Sequence, residues 1–282
     1  MRFGFVTCVQ LGLSCMEAIY DVGGELALAI TLPDDKATRK SGRVYLDSFC
    51  ESRGIPLLKA ENVNDQIVID TVRSARIDWL FIIGWSQIAR QPLFDACRFG
   101  ALGMHPTLLP EGRGRAAIPW AILKRLDRTG VTLFMLDDGV DTGAILDQIE
   151  IPLTPETDAT GLYAAIEAAH VDLMRAALPR LNDGSLETRA QDERRATTWP
   201  GRRPADGLID LDGSVRDADC LIRAVTRPYP GAFVTMGGRK MIVWKARLSA
   251  SGATAPHGPL IEFRDGALEC LEWEDAGPAS GI

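Results

Sequence analysis

The sequence contains few of the residues from which metal sites and disulfide frameworks are built. Three histidines and six cysteines occur among 282 residues, no two cysteines form a Cys-x-x-Cys pair, and no histidine accompanies a cysteine at metal-ligand spacing. A zinc site and a disulfide scaffold are therefore disfavoured. We expect no metal, and we expect reduced, mostly buried thiols in a cytoplasmic protein.

Long apolar runs and clustered positive charge are also absent. No stretch reaches the roughly 18 consecutive apolar residues of a membrane-spanning helix. Residues 1–20 contain one basic residue and a glutamine that interrupts the apolar run, so they fit a first strand and helix better than a signal peptide. The formal net charge of −7 disfavours a protein whose main function is to bind nucleic acid, because phosphate contacts require clustered Lys and Arg.

Short apolar segments alternate with helical patterns over the first 150 residues. The apolar segments are nearly continuous, which is typical of parallel strands that are buried on both faces. We therefore predict an α/β fold with a Rossmann-like, mostly parallel sheet and helices on both faces. The strand candidates are residues 2–8, 26–32, 78–85, 100–106 and 130–136.

Two further elements are predicted after these strands. Residues 146–155 have the pattern of a strand that leads out of the sheet, and a strongly periodic helix follows, with Gly184 as its stop. His170 lies beside the apolar face of this helix, and we interpret it as a packed histidine rather than a catalytic one. The face consists of Leu162, Ile166, Ala169, Leu173, Ala177 and Leu181.

The composition changes near residue 205. Residues 184–208 are polar and rich in Arg, Thr and Gly, which indicates a linker. Beyond them, a short helix and several alternating segments indicate a small antiparallel sheet or barrel. We predict two domains, an N-terminal α/β domain over residues 1–204 and a small β domain over residues 205–282.

Polar side chains follow three of the predicted strands, where ligands bind in open α/β sheets. His105 closes one strand, and the proline after it restricts the backbone. Asp141 lies between Gly139 and Gly143, a pattern that indicates a tight loop with a fixed carboxylate. Residues 84–88 follow the strongest strand signal of the chain.

A histidine and a carboxylate at neighbouring strand ends can form an acid–base pair. The carboxylate orients the imidazole and stabilises its protonated form, and the imidazole can then stabilise an oxyanion or move a proton. Spacing alone makes catalysis by His105 and Asp141 the less favoured of two interpretations. A hydrogen bond that orders the loop is the favoured one.

The segments around these two residues resemble a known family. Residues 105–122 (HPTLLPEGRGRAAIPWAI) and 129–148 (TGVTLFMLDDGVDTGAILDQ) resemble the two signature segments of the folate-dependent formyltransferases, and the interval of 36 residues from His105 to Asp141 is similar as well. This family includes methionyl-tRNA, glycinamide ribonucleotide and sugar-nucleotide formyltransferases. The C-terminal part, including residues 202–233, resembles the OB-like domain of the tRNA and aminoarabinose enzymes.

The resemblance implies an enzyme that transfers the formyl group of N10-formyltetrahydrofolate to an amine, with His105 and Asp141 as catalytic residues. It also implies that the N-terminal domain is the catalytic one. By resemblance, the pterin of the donor lies against two segments that contain Trp85, Ser86, Gln87, Ile88, Leu136, Asp137, Gly139 and Val140. For Trp85, packing in the core is an alternative to contact with the pterin.

One position departs from the family pattern. The family's asparagine two residues before the histidine is replaced here by Gly103. Removal of an oxyanion-hole donor costs about 2.7–4 kcal/mol in other enzymes, so an uncompensated loss would slow the reaction about a hundred- to a thousand-fold. Three explanations are open: replacement by another donor, catalysis by His105 alone, or loss of activity, and we favour the first two. The candidate donors are Ser86, Gln87, Thr142 and a bound water.

The acceptor amine is predicted from weaker features. Arg113, Arg115 and Thr107 lie in the first signature segment and are candidates for binding a phosphate or carboxylate of the acceptor. Solvated arginines without a ligand are an equal alternative. Residues 61–66 are similar to a stretch of the aminoarabinose enzyme. Together with the acidic net charge, these features favour a nucleotide-linked amino sugar as acceptor.

Other functions stay open. A tRNA acceptor comes second, because the C-terminal domain also resembles that of the tRNA enzyme, and another small amine comes third. A formyltetrahydrofolate hydrolase would use the same histidine and aspartate on water. Because of Gly103, a folate- or nucleotide-binding protein without turnover is a further alternative. The oligomeric state, including a homodimer, is also open.

Overall fold

The computed structural model describes residues 1–36, 43–249 and 258–278, in which helices and strands alternate over the first part of the chain. In chain order the elements are β1 (Phe3–Val6), α1 (Gln10–Asp21), β2 (Leu26–Thr31), α2 (Asp47–Arg53), β3 (Leu57–Lys59), α3 (Gln66–Ser74), β4 (Trp79–Ile82), α4 (Gln91–Phe94), β5 (Gly100–His105), β6 (Arg113–Gly114), α5 (Ala117–Leu123), β7 (Arg128–Met135), β8 (Ile145–Pro152), α6 (Ala159–Asp183), β9 (Thr198–Trp199), α7 (Val215–Val225), β10 (Ala232–Met236), β11 (Arg239–Ser249), β12 (Leu260–Phe263) and β13 (Gly266–Pro278).

These elements fall into two compact units that interleave along the chain. The α/β unit contains Met1–Arg113, Gly130–Ile151 and Ile166–Thr198. The β unit contains Gly114–Thr129, Pro152–Ala165 and the described part of Trp199–Ile282. Helix α5 therefore groups with the C-terminal residues. The division into domains 1–204 and 205–282 stays a prediction.

The α/β unit is built on a seven-stranded sheet with the order β3-β2-β1-β4-β5-β7-β8. The pairs β2–β3, β1–β2, β1–β4 and β4–β5 are parallel, which confirms the mostly parallel α/β sheet. Two details differ from the prediction. Strand β7 runs antiparallel to β5, and β8 stays in the sheet as its edge strand. A continuous apolar run reports burial rather than strand direction, so it could not predict either detail.

Apolar side chains of the central strands form the core of this unit. Phe3 and Phe5 of β1 are 1% and 0% exposed, and Phe81 of β4 is 0% exposed. The Phe81 ring centroid lies 5.8 Å from that of each of the other two rings. Burial of one such side chain stabilises the fold by about 1.5–3 kcal/mol. The apolar runs of the sequence thus correspond to strands buried in the sheet.

Helix α6 has the apolar face that its periodicity predicts. All six residues of that face are at most 4% exposed. The helix ends before Gly184, whose φ of +74° is one that glycine adopts readily. His170 is 1% exposed, which confirms the interpretation as a packed histidine, and its Nδ1–H donates to Ile166 O over 2.8 Å.

The β unit contains a four-stranded antiparallel sheet with the order β10-β11-β13-β12, as the alternating C-terminal segments predict. Helix α7 follows Ser214, whose Oγ accepts from Asp217 N at the first turn. Between β11 and β13, Arg247 Nε donates to the buried Glu269 carboxylate over 2.7 Å. This pair satisfies an acid that would otherwise be buried without a partner.

The six cysteines are free and buried, as predicted. Burial raises the pKa of Cys15 to about 12 and that of Cys50 to about 11. These two thiols therefore stay protonated near neutral pH and are poor nucleophiles. Among the residues that the structure describes, no helix is long and apolar enough to cross a membrane.

Candidate active site

His105 ends β5 in the α/β unit and is 8% exposed. Its Nε2 lies 2.8 Å from Gly112 O. A carbonyl oxygen can only accept, so Nε2 carries a proton and donates it to that oxygen. The other ring nitrogen, Nδ1, lies 3.5 Å from Asp141 Oδ2. The imidazole is thus held by the backbone at one nitrogen and faces a carboxylate with the other.

The carboxylate reaches His105 along a path that the sequence did not predict. Because β7 is antiparallel to β5, Leu136, which follows β7, lies beside the start of β5. Its N–H donates to Ala101 O over 2.8 Å. From Ala101 to His105 the strand rises about 13 Å. The loop that leads to Asp141 therefore doubles back along β5. The expectation that both residues follow neighbouring parallel strands is wrong, although the pair does form.

Two glycines permit this path. A Cβ at Gly139 would lie 1.9 Å from Thr142 Oγ1, and a Cβ at Gly143 would lie 1.8 Å from a backbone oxygen of β7. Asp141 itself has a φ of +56°, a left-handed conformation that Asp tolerates better than most residues. Asp137 Oδ1 accepts from Gly139 N over 3.0 Å and from Thr142 Oγ1 over 2.6 Å. The loop is therefore tight and tied internally.

A residue outside the predicted site holds the other side of this loop. Gln191 Nε2 donates to Asp141 O and to Gly143 O, each over 2.8 Å. Gln191 Oε1 accepts from Arg113 Nε over 3.1 Å and from Arg113 Nη2 over 2.7 Å. Residue 191 lies in the polar stretch whose composition indicates a linker. No sequence pattern distinguishes it from the other polar residues there.

The segment after β4 is fixed by a side-chain amide. Gln87 Oε1 accepts from Val63 N over 2.9 Å, and Gln87 Nε2 donates to Glu61 O over 2.6 Å. Trp85 packs against the core, and its Nε1 lies 3.3 Å from Gln87 Oε1. Ile88 is 69% exposed. Core packing, one of the two interpretations of Trp85, is thus observed.

Asn64 extends this network. Its Nδ2 donates to Ile88 O over 2.9 Å, and its Oδ1 accepts from Arg90 N over 2.8 Å. Residues 61–66, which the sequence associated with the acceptor, therefore position the loop that follows β4. On that loop Ser86 is exposed.

Comparison with known proteins assigns the chain to a family. A family model described as Formyl transferase matches residues 20–178, and one described as Formyl transferase, C-terminal domain, matches residues 202–277. The first match alone spans 159 of the 282 residues, more than half of the chain. The chain belongs to the formyl transferase family. His105 and Asp141 both lie within the first match.

Three solved structures share the fold of this formyl transferase at low sequence identity. WlaRD, described as a sugar 3N-formyl transferase in the presence of dTDP and 5-N-formyl-THF, is 16% identical with a TM-score of 0.67, over 100% of this chain and 99% of that one. The N-formyltransferase from Helicobacter canadensis, in complex with folinic acid and dTDP-3-aminofucose, is 16% identical with a TM-score of 0.68, over 99% of each chain. Methionyl-tRNA formyltransferase from Clostridium thermocellum is 16% identical with a TM-score of 0.62, over 98% of this chain and 99% of that one. At these identities the likeness concerns the fold alone.

Gly103 is the position where this formyl transferase lacks the expected asparagine. It lies two residues before His105 and so on the same face of β5. A Cβ at Gly103 would lie 2.8 Å from Leu136 Cδ2 and 3.4 Å from Phe134 Cε1. The Leu136 side chain, at the start of the doubled-back loop, thus fills the space that an asparagine side chain would enter.

Two donors suggested as replacements for that asparagine have partners inside the protein. The Gln87 amide is bonded to the loop before α3, and Thr142 Oγ1 donates to Asp137. Thr107 presents a different hydroxyl, since it is 1% exposed and its Oγ1 has no hydrogen-bond partner within the described ranges. Its backbone N–H donates to His105 O over 2.9 Å. Thr107 is thus held close to the histidine by the backbone.

Arg113 is a buried cation with several partners. Its side chain is 8% exposed, and besides the two bonds to Gln191 it donates from Nη1 and Nη2 to the Glu193 carboxylate over 2.9 and 2.6 Å. The hydrogen bond to Glu193, together with the negative charges of Asp137 and Asp141, raises the pKa of Arg113. Four of the five N–H donors of a guanidinium are therefore committed within the protein.

Arg115 has different surroundings. It belongs to the β unit, its side chain is exposed, and its backbone N–H donates to Trp199 O over 3.1 Å. Binding of the acceptor by Arg113, Arg115 or Thr107 stays a prediction.

A second histidine lies within electrostatic reach of the pair. Burial lowers the pKa of His170 to about 4, and positive charge on His105 contributes to the lowering. His170 is therefore neutral near pH 7. Within residues 1–36, 43–249 and 258–278, no group of three or more His, Cys, Asp or Glu side chains is placed to hold a metal ion.

Proposed function

We propose that this formyl transferase moves a formyl group from N10-formyltetrahydrofolate to a primary amine on a nucleotide-linked sugar. The observation that carries the proposal is the buried His105–Asp141 pair, with Nδ1 and Oδ2 3.5 Å apart, in a chain of this family. In the overall reaction the formyl carbon loses its bond to N10 and gains a bond to the amine. One proton passes from the amine to N10.

In this proposal His105 moves that proton. Because its Nε2 proton is held by Gly112 O, the nitrogen that exchanges a proton is Nδ1, which faces Asp141. Asp141 stabilises the positive ring when Nδ1 takes a proton from the attacking amine. The protonated ring in turn stabilises the negative charge that develops on the formyl oxygen. Both effects require the carboxylate and the imidazole to keep their present arrangement.

The donor is proposed to bind along the loops that contain residues 85–88 and 136–140. Each loop exposes a branched apolar side chain, Ile88 at 69% and Val140 at 55%. Apolar surface covered by a flat ring system contributes about 25 cal/mol per Å² to binding. The side-chain amides of Gln87 and Asn64 hold the first loop in place, and Asp137 fixes the shape of the second. Descriptions of two structures with this fold name a folate ligand.

A nucleotide-linked amino sugar is the proposed acceptor. The Helicobacter canadensis protein was solved with dTDP-3-aminofucose, and WlaRD is described as a sugar formyl transferase. The tRNA enzyme from Clostridium thermocellum has the same fold, so fold does not separate the two acceptors. The net charge of −7 favours the sugar, because a tRNA acceptor requires many phosphate contacts.

A formyl-transfer assay with purified protein tests the proposal. The donor is offered with dTDP- and UDP-linked amino sugars, with methionyl-tRNA, and with no amine. We expect an N-formyl sugar from the wild type and a rate at least about a hundredfold lower from His105→Ala. Formylation of tRNA alone would contradict the sugar acceptor, and formate release without an amine would indicate hydrolysis. If the wild type binds donor but is as inert as His105→Ala, the catalytic proposal fails.

A further inference from the structure

Gln191 contacts the backbone of the loop that carries Asp141 at two points. Its Nε2 donates to Asp141 O and to Gly143 O, each over 2.8 Å. We propose that Gln191 is a positioning residue for formyl transfer, which sets the place of the Asp141 carboxylate relative to His105. This inference rests on the proposed function of the site.

The loop needs such a contact because its own backbone is unfavourable for a residue with a side chain. Asp141 has a φ of +56°, and the loop doubles back to reach His105. Residues 137–140 are exposed, so core packing does not hold them. The internal bonds of Asp137 fix the shape of the loop, whereas Gln191 fixes its position on the α/β unit.

The orientation of the Gln191 amide is fixed by its surroundings. Arg113 has only N–H donors to offer, so the atom that faces Arg113 is Oε1, and the NH2 group faces the two carbonyl oxygens. Glu193 holds the guanidinium from the other side, at 2.9 and 2.6 Å. The buried guanidinium, held by the exposed Glu193 carboxylate, thus keeps the amide aimed at the loop of Asp141.

The same polar segment also holds the partner of His105. Thr197 Oγ1 accepts from Gly112 N over 2.9 Å, and Gly112 O accepts from His105 Nε2. Residues 191–197 therefore contact the backbone beside both members of the His105–Asp141 pair, at Gly112 and at the loop of Asp141. Displacement of reacting groups by about 1 Å can lower a rate about a hundredfold, so a contact at this remove from the chemistry can still control turnover.

Gln191→Glu keeps the acceptor that faces Arg113 and removes the donor that faces the loop of Asp141. The carboxylate still accepts from Arg113 but places negative charge against two carbonyl oxygens that need a donor. We expect kcat for formyl transfer to fall about a hundredfold, with the thermal unfolding midpoint close to that of the wild type. Gln91→Glu, an exposed change of the same charge at the start of α4, should leave kcat unchanged.

A crystal structure of Gln191→Glu gives a readout that does not need turnover. The separation of His105 Nδ1 and Asp141 Oδ2, now 3.5 Å, should increase. An unchanged separation, or a kcat equal to that of Gln91→Glu, would overturn the positioning role while leaving the proposed function intact. If the wild type shows no transfer, the proposed function fails, and the separation still decides whether Gln191 positions the carboxylate.

Discussion

Replacing Gly103 by asparagine supplies the side chain that family resemblance leads one to expect, yet the structure predicts a loss rather than a gain of activity. A Cβ at this position would lie 2.8 Å from Leu136 Cδ2, whereas carbon atoms pack best at about 3.5–4.0 Å. The amide beyond that Cβ would need still more room. The Leu136 side chain would have to move, and the loop of Asp141 begins at that residue.

The size of the effect follows from these distances. Overfilling a packed region costs about 1–3 kcal/mol, and a shift of about 1 Å in a catalytic group can slow turnover about a hundredfold. We therefore expect Gly103→Asn to lower the free energy of unfolding by about 1–3 kcal/mol. We also expect its kcat to fall below that of the wild type.

A double-mutant cycle tests this reasoning. Urea unfolding and kcat are measured for Gly103→Asn, Leu136→Ala and the combination of both. Since Leu136→Ala opens the space that the asparagine needs, the pair should be coupled favourably by about 0.5–3 kcal/mol. Gly103→Ala separates the cost of the Cβ from any contribution of the amide.

One result would refute the account of Gly103. If Gly103→Asn is as stable as the wild type and turns over faster without any change at Leu136, the leucine does not compete for that space. In that case the missing amide donor limits the enzyme, and the site is not built around glycine.

Two further predictions concern a buried histidine and a loop glycine. Because burial lowers the pKa of His170 to about 4 from its usual 6.5, the unfolded chain takes up a proton first as the pH falls. The stability that neutral His170 contributes is full above pH 6.5 and is lost toward pH 4, by about 3 kcal/mol. His170→Asn, whose Nδ2 can keep the bond to Ile166 O, should flatten that part of the urea-unfolding profile. Gly139→Ala, whose Cβ would lie 1.9 Å from Thr142 Oγ1, should lower kcat at least about tenfold.

Each of these two predictions has its own control and its own contrary outcome. For the histidine, an equal loss of stability between pH 6.5 and pH 4 in the wild type and in His170→Asn would assign the loss to other groups. For the glycine, Gly161→Ala in α6 is the matched control, because its Cβ would make ordinary contact at 3.5 Å. If Gly139→Ala has the kcat of that control, the tight loop is not required.

Features that depend on local periodicity could be predicted from the sequence. The apolar face of α6 follows the helical period from Leu162 to Leu181, and every predicted member of it is buried. The runs that became β2 and β4 have the continuous apolar character of strands covered on both faces. The pairing of His105 with Asp141 was suggested by position, and the family resemblance gave it weight.

Features that depend on tertiary contacts could not be predicted. The apolar run of β7 does not indicate the direction of the strand. Because β7 lies antiparallel to β5, the loop of Asp141 doubles back. Gln191 is one polar residue among many in a stretch whose composition indicates a linker, and its role depends on two carbonyl oxygens distant in sequence. Binding of the acceptor by Arg113 stays a prediction, and the bonds of this guanidinium to Glu193 and Gln191 are contacts that no sequence pattern indicates.

Catalysis of formyl transfer by the His105–Asp141 pair is tested most directly by single-turnover formyl transfer with Asp141→Asn. Asparagine tolerates the left-handed backbone at this position as aspartate does, so the loop should keep its shape. The variant loses the negative charge that supports the protonated imidazole. We predict donor binding close to that of the wild type and a transfer rate at least about a hundredfold lower. A transfer rate near that of the wild type would contradict catalysis by this pair.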